Sequence, residues 1–390
     1  MSKRLLFTAL AGRGHVNPML PLVEELVLRG HRVEYATSAP YAEAVSRAGA
    51  RWVELPSVEP IEVPDEIGPD SIALWLRHLF SEMRVAHPVL LEHCIEEPPD
   101  AVCYDSMHWL GGVLSRQLAV PAVRSVPTLA SNTVFSLLDC YLKGLGPDHP
   151  TMRGLAADCA RFSAEYGVTF DPGRDMDVVE GLNLVLVPRE FQPAGDTFDG
   201  RFHFVGPSVG RREEAGSWSP SASGRPLLYV SLGSVLTGRP EFYRACVDAF
   251  AGGPWQVAMT VGGLDPAVLG TLPPNIDARP WFPQPAVLRQ ADAFVTHAGM
   301  NSTMEGLYYG VGLVAVPHTP EQAVNARRLA ELGLGEQLAL AETTAVSLRS
   351  TVTRVAASAV VRANLERMRG HIGDSGGAVH GADLVEKYLC

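Results

Sequence analysis

The first forty residues constrain the fold most. "RLLFTAL" (4–10) is apolar without alternation, which suits a strand buried on both faces of a parallel sheet. "GRGHVNP" breaks the run, "MLPLVEELVLRG" has helical periodicity and stops at Gly30, and "HRVEYATS" resumes as strand. Two parallel neighbours joined this way need a crossover helix, so the chain opens as a βαβ unit with helices packed on its sheet. Strand-like runs recur at 100–105 ("DAVCYD"), 121–127 ("PAVRSVP") and 182–188 ("LNLVLVP"). Residues 207–226, "PSVGRREEAGSWSPSASGRP", lack apolar periodicity and read as a linker. The alternation then restarts. Strands are predicted in "LLYVSLGS", "WQVAMTVGG", "NIDARPW", "AFVTHAG" and "GLVAVPHTP", with helices between them, and helical segments follow over 344–371 and 375–389.

The chain is therefore expected to form two α/β domains of similar size, each a mostly parallel sheet with helices on both faces. The expected boundaries are 1–206, a linker over 207–226, a second domain over 227–372, and a C-terminal helix over 373–390 that can pack back on the first domain. In such sheets ligands bind outside the carboxyl ends of the strands, and a cleft between two facing domains is a common substrate site.

Composition narrows the partners. The chain is 46% hydrophobic and 19% charged over 390 residues, enough for large cores and too apolar for disorder. A net charge of −11 argues against a nucleic-acid backbone as partner. None of the six cysteines has C-x-x-C spacing, which fits a reduced, cytoplasmic protein better than a zinc site. No apolar run approaches the ~20 residues of a membrane span. "DMD" (175–177) does not end an apolar strand, and His78, His87 and His93 match no zinc spacing, so no metal site is expected.

The richest segment is "THAGMNSTMEGL" (296–307). It ends a strand and starts a helix, with Asn301, Ser302 and Thr303 near the first turn. Free N–H groups and the positive end of the helix dipole favour an anion there, and Gly299 lets backbone approach a ligand. An ordinary capped helix would use the same residues. The neighbours shift that balance: "WFPQ" (281–284) lies upstream and "HTPEQAVN" (318–325) downstream, each at the end of a strand or the start of a helix.

Together these stretches resemble the UDP-sugar-dependent, inverting glycosyltransferases of the GT-B fold, especially the bacterial branch that glycosylates macrolides and other apolar natural products. That family carries W-x-P-Q, then H-x-G-x-N-S/T-x-x-E, then D/E-Q, and "GHVNP" near the start also belongs to it. The resemblance implies two facing Rossmann-like domains with an inter-domain cleft. It implies that Trp281 stacks on uracil, that the Gln284 region hydrogen-bonds the base and that Glu305 holds the ribose hydroxyls. His297, Gly299, Asn301, Ser302, Thr303 and Ser234 are implied to face the diphosphate, and Glu321 and Gln322 the sugar hydroxyls. It also makes His15 a general base and Asp105, at the end of "DAVCYD", its partner. Trp75, Phe80, Met83, Trp109 and Phe135 are candidates to line the acceptor pocket, with helix core packing as the competing role.

The expected activity is metal-independent transfer of a hexose, glucose first, from UDP to a hydroxyl of an apolar small molecule, in antibiotic biosynthesis or resistance. The partners are then a nucleotide sugar and that acceptor, with no cofactor, nucleic acid or membrane anchor. The alternatives are a dTDP-deoxysugar donor, or a non-catalytic nucleotide-sugar-binding subunit.

Overall fold

The computed structural model describes residues 1–59, 67–146, 148–209, 218–220, 224–233 and 237–390. The chain divides into two compact units, Met1–Ser208 with Ser375–Cys390, and Val209–Asp374.

Among the described residues, the first unit contains strands β1 (Arg4–Thr8), β2 (Arg32–Thr37), β3 (Arg51–Glu54), β4 (Ala101–Asp105), β5 (Ala122–Val126), β6 (Leu182–Val185) and β7 (Phe202–Phe204). They form one sheet in the order β3-β2-β1-β4-β5-β6-β7, and every pair is parallel. The connections carry helices α1 (Arg13–Val16), α2 (Leu20–Leu28), α3 (Ala42–Arg47), α4 (Pro69–Glu96), α5 (Trp109–Leu118), α6 (Leu138–Leu142), α7 (Pro150–Tyr166) and α8 (Pro172–Met176). Leu6, Val102 and Tyr104 face one core and Leu5, Phe7 and Cys103 the other, so β1 and β4 are buried on both sides. That is why their sequences run apolar without alternating.

The second unit repeats the plan. Strands β8 (Leu227–Ser231), β9 (Gln256–Thr260), β10 (Ile276–Arg279), β11 (Ala293–Thr296), β12 (Gly312–Ala315) and β13 (Gly335–Gln337) pair in the order β10-β9-β8-β11-β12-β13, again all parallel. Its helices are α9 (Pro240–Phe250), α10 (Gln284–Leu288), α11 (Met300–Tyr309), α12 (Pro320–Glu331), α13 (Ala345–Ala357) and α14 (Ala359–Asp374). The predicted helical run 344–371 is thus two helices. They part at Ser358, whose extended backbone ends α13 and whose hydroxyl accepts from the Val361 N–H at 3.2 Å. Within the segment expected as a linker, Trp218 packs edge-on against Phe282 and its carbonyl accepts from Gln290 Nε2 at 3.0 Å.

The last helix, α15 (Gly377–Tyr388), belongs to the first unit. Ala382 and Val385 enter the core beside α2, and Arg29 bridges Asp383 at 2.6 Å and Glu386 at 2.7 Å.

Both sheets reverse winding direction at their first strand, between β1 and β4 in one unit and between β8 and β11 in the other. The crevice at the carboxyl ends of such strand pairs is where a doubly wound sheet takes its ligand.

Candidate active site

In the first unit the switch point carries a histidine–carboxylate pair. Thr8 and Tyr104 are register partners at the ends of β1 and β4, so the loops that follow meet above the sheet. His15 lies in α1, just beyond β1, and Asp105 is the last residue of β4. Its Nδ1 is 3.0 Å from both carboxylate oxygens of Asp105. The Asp105 side chain is wholly buried and the His15 ring a quarter exposed, so the carboxylate is fixed while the ring reaches the surface. Asp105 Oδ1 also accepts from the Met107 N–H at 2.9 Å. A carboxylate only accepts, so Nδ1 carries a proton, and in the neutral ring the lone pair then lies on Nε2.

Beneath this pair lies a histidine that the sequence motifs did not mark. His108 is buried, with Nδ1 2.8 Å from Thr8 Oγ1. Burial pushes its pKa down to about 4, against the pull of Asp105, so it is neutral at pH 7. The only sequence signal was the interval Asp105–His108, which puts both at one strand end.

In the second unit the corresponding switch point holds His297, just past β11, opposite Gly233, just past β8. Gly233 has φ +81°, and a Cβ there would lie 2.7 Å from the His297 ring. A Cβ on Gly299 would lie 2.4 Å from His297 Nε2, so glycine at both places lets the imidazole lie flat against backbone. Burial first, then the neighbouring His318, lower the His297 pKa to about 4. His297 is therefore neutral at pH 7, not an imidazolium. His318 is likewise held at about 4, by burial and then Arg239, and neither of its ring nitrogens has a partner among the described residues.

The helix mouth differs from an ordinary cap. Gly299 is the N-cap of α11 and no side chain caps it. Asn301 and Ser302 lie inside the first turn, and the first intrahelical bond runs from the Thr303 N–H to the Gly299 carbonyl at 2.9 Å. The amides of Met300, Asn301 and Ser302 precede that bond and form the positive end of the helix. Thr303 lies deeper than its neighbours. Its N–H is used within the helix, and its side chain is fully buried with an Oγ1 that has no hydrogen-bond partner among the described residues, so it offers a diphosphate neither a free amide nor an exposed hydroxyl.

Around the mouth, Gln284 Nε2 donates to Glu305 Oε2 at 2.8 Å and to Ser302 Oγ at 3.3 Å. Glu305 and Ser302 are buried, so these three form one polar ledge beside the helix. Trp281 is 57% exposed and thus a surface aromatic, not a core one. Gln322, at the start of α12, is buried, and its Oε1 accepts from the His318 N–H at 2.8 Å. Glu321 accepts from Asn325 at 3.3 Å. Ser234 lies outside the described residues.

The acceptor candidates divide. Phe80, Met83 and Trp109 are core side chains, each at most 2% exposed, and Phe80 and Trp109 pack on Phe170. Helical periodicity put them on the inner faces of α4 and α5, and an acceptor role for these three is not supported. Trp75 is only partly buried and stacks on Tyr141 with ring centroids 6.1 Å apart. Phe135 is partly buried in the loop before α6, where its carbonyl accepts from Asn132 at 2.7 Å. In "DMD", Asp175 is buried against Arg116 at 2.6 Å, an ordinary ion pair. Among the described residues no helix is long and apolar enough to cross a membrane.

Known proteins resemble this chain. The family described as "UDP-glucoronosyl and UDP-glucosyl transferase" matches residues 207–371. Demethyllactenocin mycarosyltransferase of Streptomyces fradiae is 39% identical over 98% of this chain and 86% of its own length. Oleandomycin glycosyltransferase of Streptomyces antibioticus is 37% identical over 98% of this chain and 90% of its own. The crystal structure of CalG4, the calicheamicin glycosyltransferase, superposes with a TM-score of 0.85 at 37% identity, covering 100% of this chain and 98% of that one.

Proposed function

The chain belongs to the UDP-glucoronosyl and UDP-glucosyl transferase family and is a glycosyltransferase of the GT-B fold, and we propose that it is an inverting O-glycosyltransferase carrying a hexose from UDP to a hydroxyl of an apolar natural product such as a macrolide. The observation that carries this reading is Asp105, buried, with both carboxylate oxygens 3.0 Å from His15 Nδ1 at the switch point of the first sheet. A buried carboxylate that fixes one tautomer of a surface imidazole makes a general base. A subunit that only bound nucleotide would have no use for it.

The step balances as a direct displacement. The acceptor oxygen bonds to the anomeric carbon while its proton passes to His15 Nε2. The bond from that carbon to the diphosphate oxygen breaks, and its electron pair leaves with UDP. Attack from the face opposite the leaving group turns an α-linked donor into a β-glycoside. Asp105 stabilises the imidazolium that forms. The amides at the mouth of α11 and the neutral N–H of His297 meet the growing diphosphate charge, so we assign that work to fixed dipoles rather than to a divalent metal. Trp281 offers its exposed face to the uracil, and the Gln284–Glu305 ledge offers acceptors to the ribose diol. Glu321 and Gln322 take the sugar hydroxyls. The six unpaired cysteines support work in a reducing cytoplasm.

The test mixes the purified chain with UDP-glucose, UDP-galactose and dTDP-sugars, each with a panel of macrolide and phenolic acceptors. The products are then read by mass spectrometry and anomeric NMR. UDP-glucose with formation of a β-glycoside is the expected result. Turnover confined to dTDP-sugars would move the donor assignment, and no turnover with any pair would remove the catalytic reading.

A further inference from the structure

We propose that Asn325 is a positioning residue for the donor site, holding the diphosphate-facing turn and the Glu321 carboxylate in one fixed relation; this rests on the donor reading above. The turn it holds is strained. Ala298, between His297 and the N-cap of α11, has φ +61°, a region that costs any residue with a Cβ. It is completely buried, its methyl among Ala315 and Ala326, so neither solvent nor ligand stabilises that conformation.

Two hydrogen bonds do. The Ala298 N–H donates to Thr296 Oγ1 at 3.3 Å, and the Ala298 carbonyl accepts from Asn325 Nδ2 at 3.0 Å. The same Nδ2 group donates to Glu321 Oε1 at 3.3 Å. A carbonyl and a carboxylate can only accept, so the nitrogen end of the Asn325 amide must face both of them. One amide thus ties the turn that aims the α11 mouth to the carboxylate assigned to the sugar.

The rest of Asn325 argues against simple packing. The residue is 0% exposed and its Oδ1 has no partner among the described residues. A hydrocarbon would fill this position without burying an unpaired oxygen, so the amide is retained for what its N–H groups do. Asn325 touches neither diphosphate nor sugar on this account. It acts through Ala298 and Glu321.

The experiment is a double-mutant cycle in the full chain, read by calorimetric binding of UDP and TDP and by steady-state kinetics. Asn325→Ala is expected to weaken diphosphate binding about 10-fold, the size of one lost hydrogen bond. The donor KM should rise in parallel and the acceptor KM should stay in place. Asn325→Asp has the same shape but presents an acceptor to two acceptors, so it should lose at least as much. Glycine takes the left-handed turn without help. The binding penalty of Asn325→Ala should therefore be several-fold smaller when measured in an Ala298→Gly chain. A merely structural role would lower Tm while leaving the affinity of the folded fraction unchanged. Asn325→Ser supplies the same comparison if Asn325→Ala does not fold. The inference is overturned if UDP affinity changes less than twofold in the folded variant, or if the penalty is the same in both backgrounds. Failure of the unaltered chain to bind either nucleotide would instead bring down the donor reading and this inference with it.

Discussion

Replacing Asp105 by Asn removes a charge without removing a shape. Both Asp105 oxygens sit 3.0 Å from His15 Nδ1, and Oδ1 also accepts from the Met107 N–H. In Asp105→Asn the amide oxygen stays with Met107, and the amide nitrogen takes the other position, facing Nδ1 with a donor. The tautomer carrying its proton on Nε2, useless as a base, then competes with the productive one. The lost charge adds to this. Two unit charges about 4 Å apart attract by roughly 4 kcal/mol at an effective dielectric constant of ~20. With about half an imidazolium charge formed in the transition state, about 2 kcal/mol is lost, roughly 30-fold in rate. The tautomer penalty brings the expected fall in kcat to about 10²–10³-fold. The assay follows UDP release at saturating donor with an alkyl alcohol acceptor, beside a calorimetric UDP titration. UDP affinity should not move, because the residues assigned to the nucleotide all belong to the other unit. A kcat within about threefold of the unaltered chain, with UDP binding intact, would refute the reasoning; the magnitude rests on the general-base role.

Trp281→Ala should raise the donor KM by about 5- to 150-fold, the range of one lost base–aromatic stack. Its Tm should barely shift, because the side chain is already 57% exposed. Stability should depend on pH in part through three strongly shifted histidines. Burial lowers the folded-state pKa of His108, His297 and His318 to about 4 from the ordinary 6.5. The unfolded chain therefore takes up these protons first as pH falls. The stability they lend is fully present above pH 6.5 and is lost between pH 6.5 and 4, at up to about 1.4 kcal/mol per pH unit for each. Urea titrations of His108→Gln should show a slope shallower by up to about 1.4 kcal/mol per pH unit over that window, and an unchanged slope would contradict the assignment. UDP-glucose should give a higher kcat/KM than UDP-galactose, since inverting the 4-hydroxyl leaves a hydrogen-bonding group of the site unpaired; equal values would contradict the role of Gln322. EDTA should leave the rate intact, and a strict metal requirement would remove the helix-mouth account of the leaving group.

The sheets were legible because their central strands are buried on both faces and therefore uniformly apolar. β3, β7 and β13 were not expected. "RWVE" and "GEQ" are short, part-exposed edge segments whose pairing comes from a neighbour rather than from their own pattern. The strand-end residues of the site were also legible, since His15, Asp105 and His297 follow apolar runs at fixed places. The burial of Thr303 was not legible, because polarity at a helix start does not reveal whether a residue faces out or into the core. Phe80, Met83 and Trp109 show the converse, as apolar side chains on α4 and α5 read alike whether they line a pocket or fill a core. His108 and Asn325 escaped notice because their significance lies in partners brought from elsewhere: Thr8 across 100 residues and Ala298 across 27.

The central claim is that His15 takes the acceptor proton, and His15→Ala tests it most directly. The measurement is kcat for an alkyl alcohol and for an acidic thiol, together with UDP affinity in the same preparation. The expected result is a fall of about 10²–10⁴-fold with the alcohol, a smaller fall with the partly ionised thiol, and unchanged UDP binding. Undiminished turnover of the alcohol, or loss of UDP binding on His15→Ala, would contradict it.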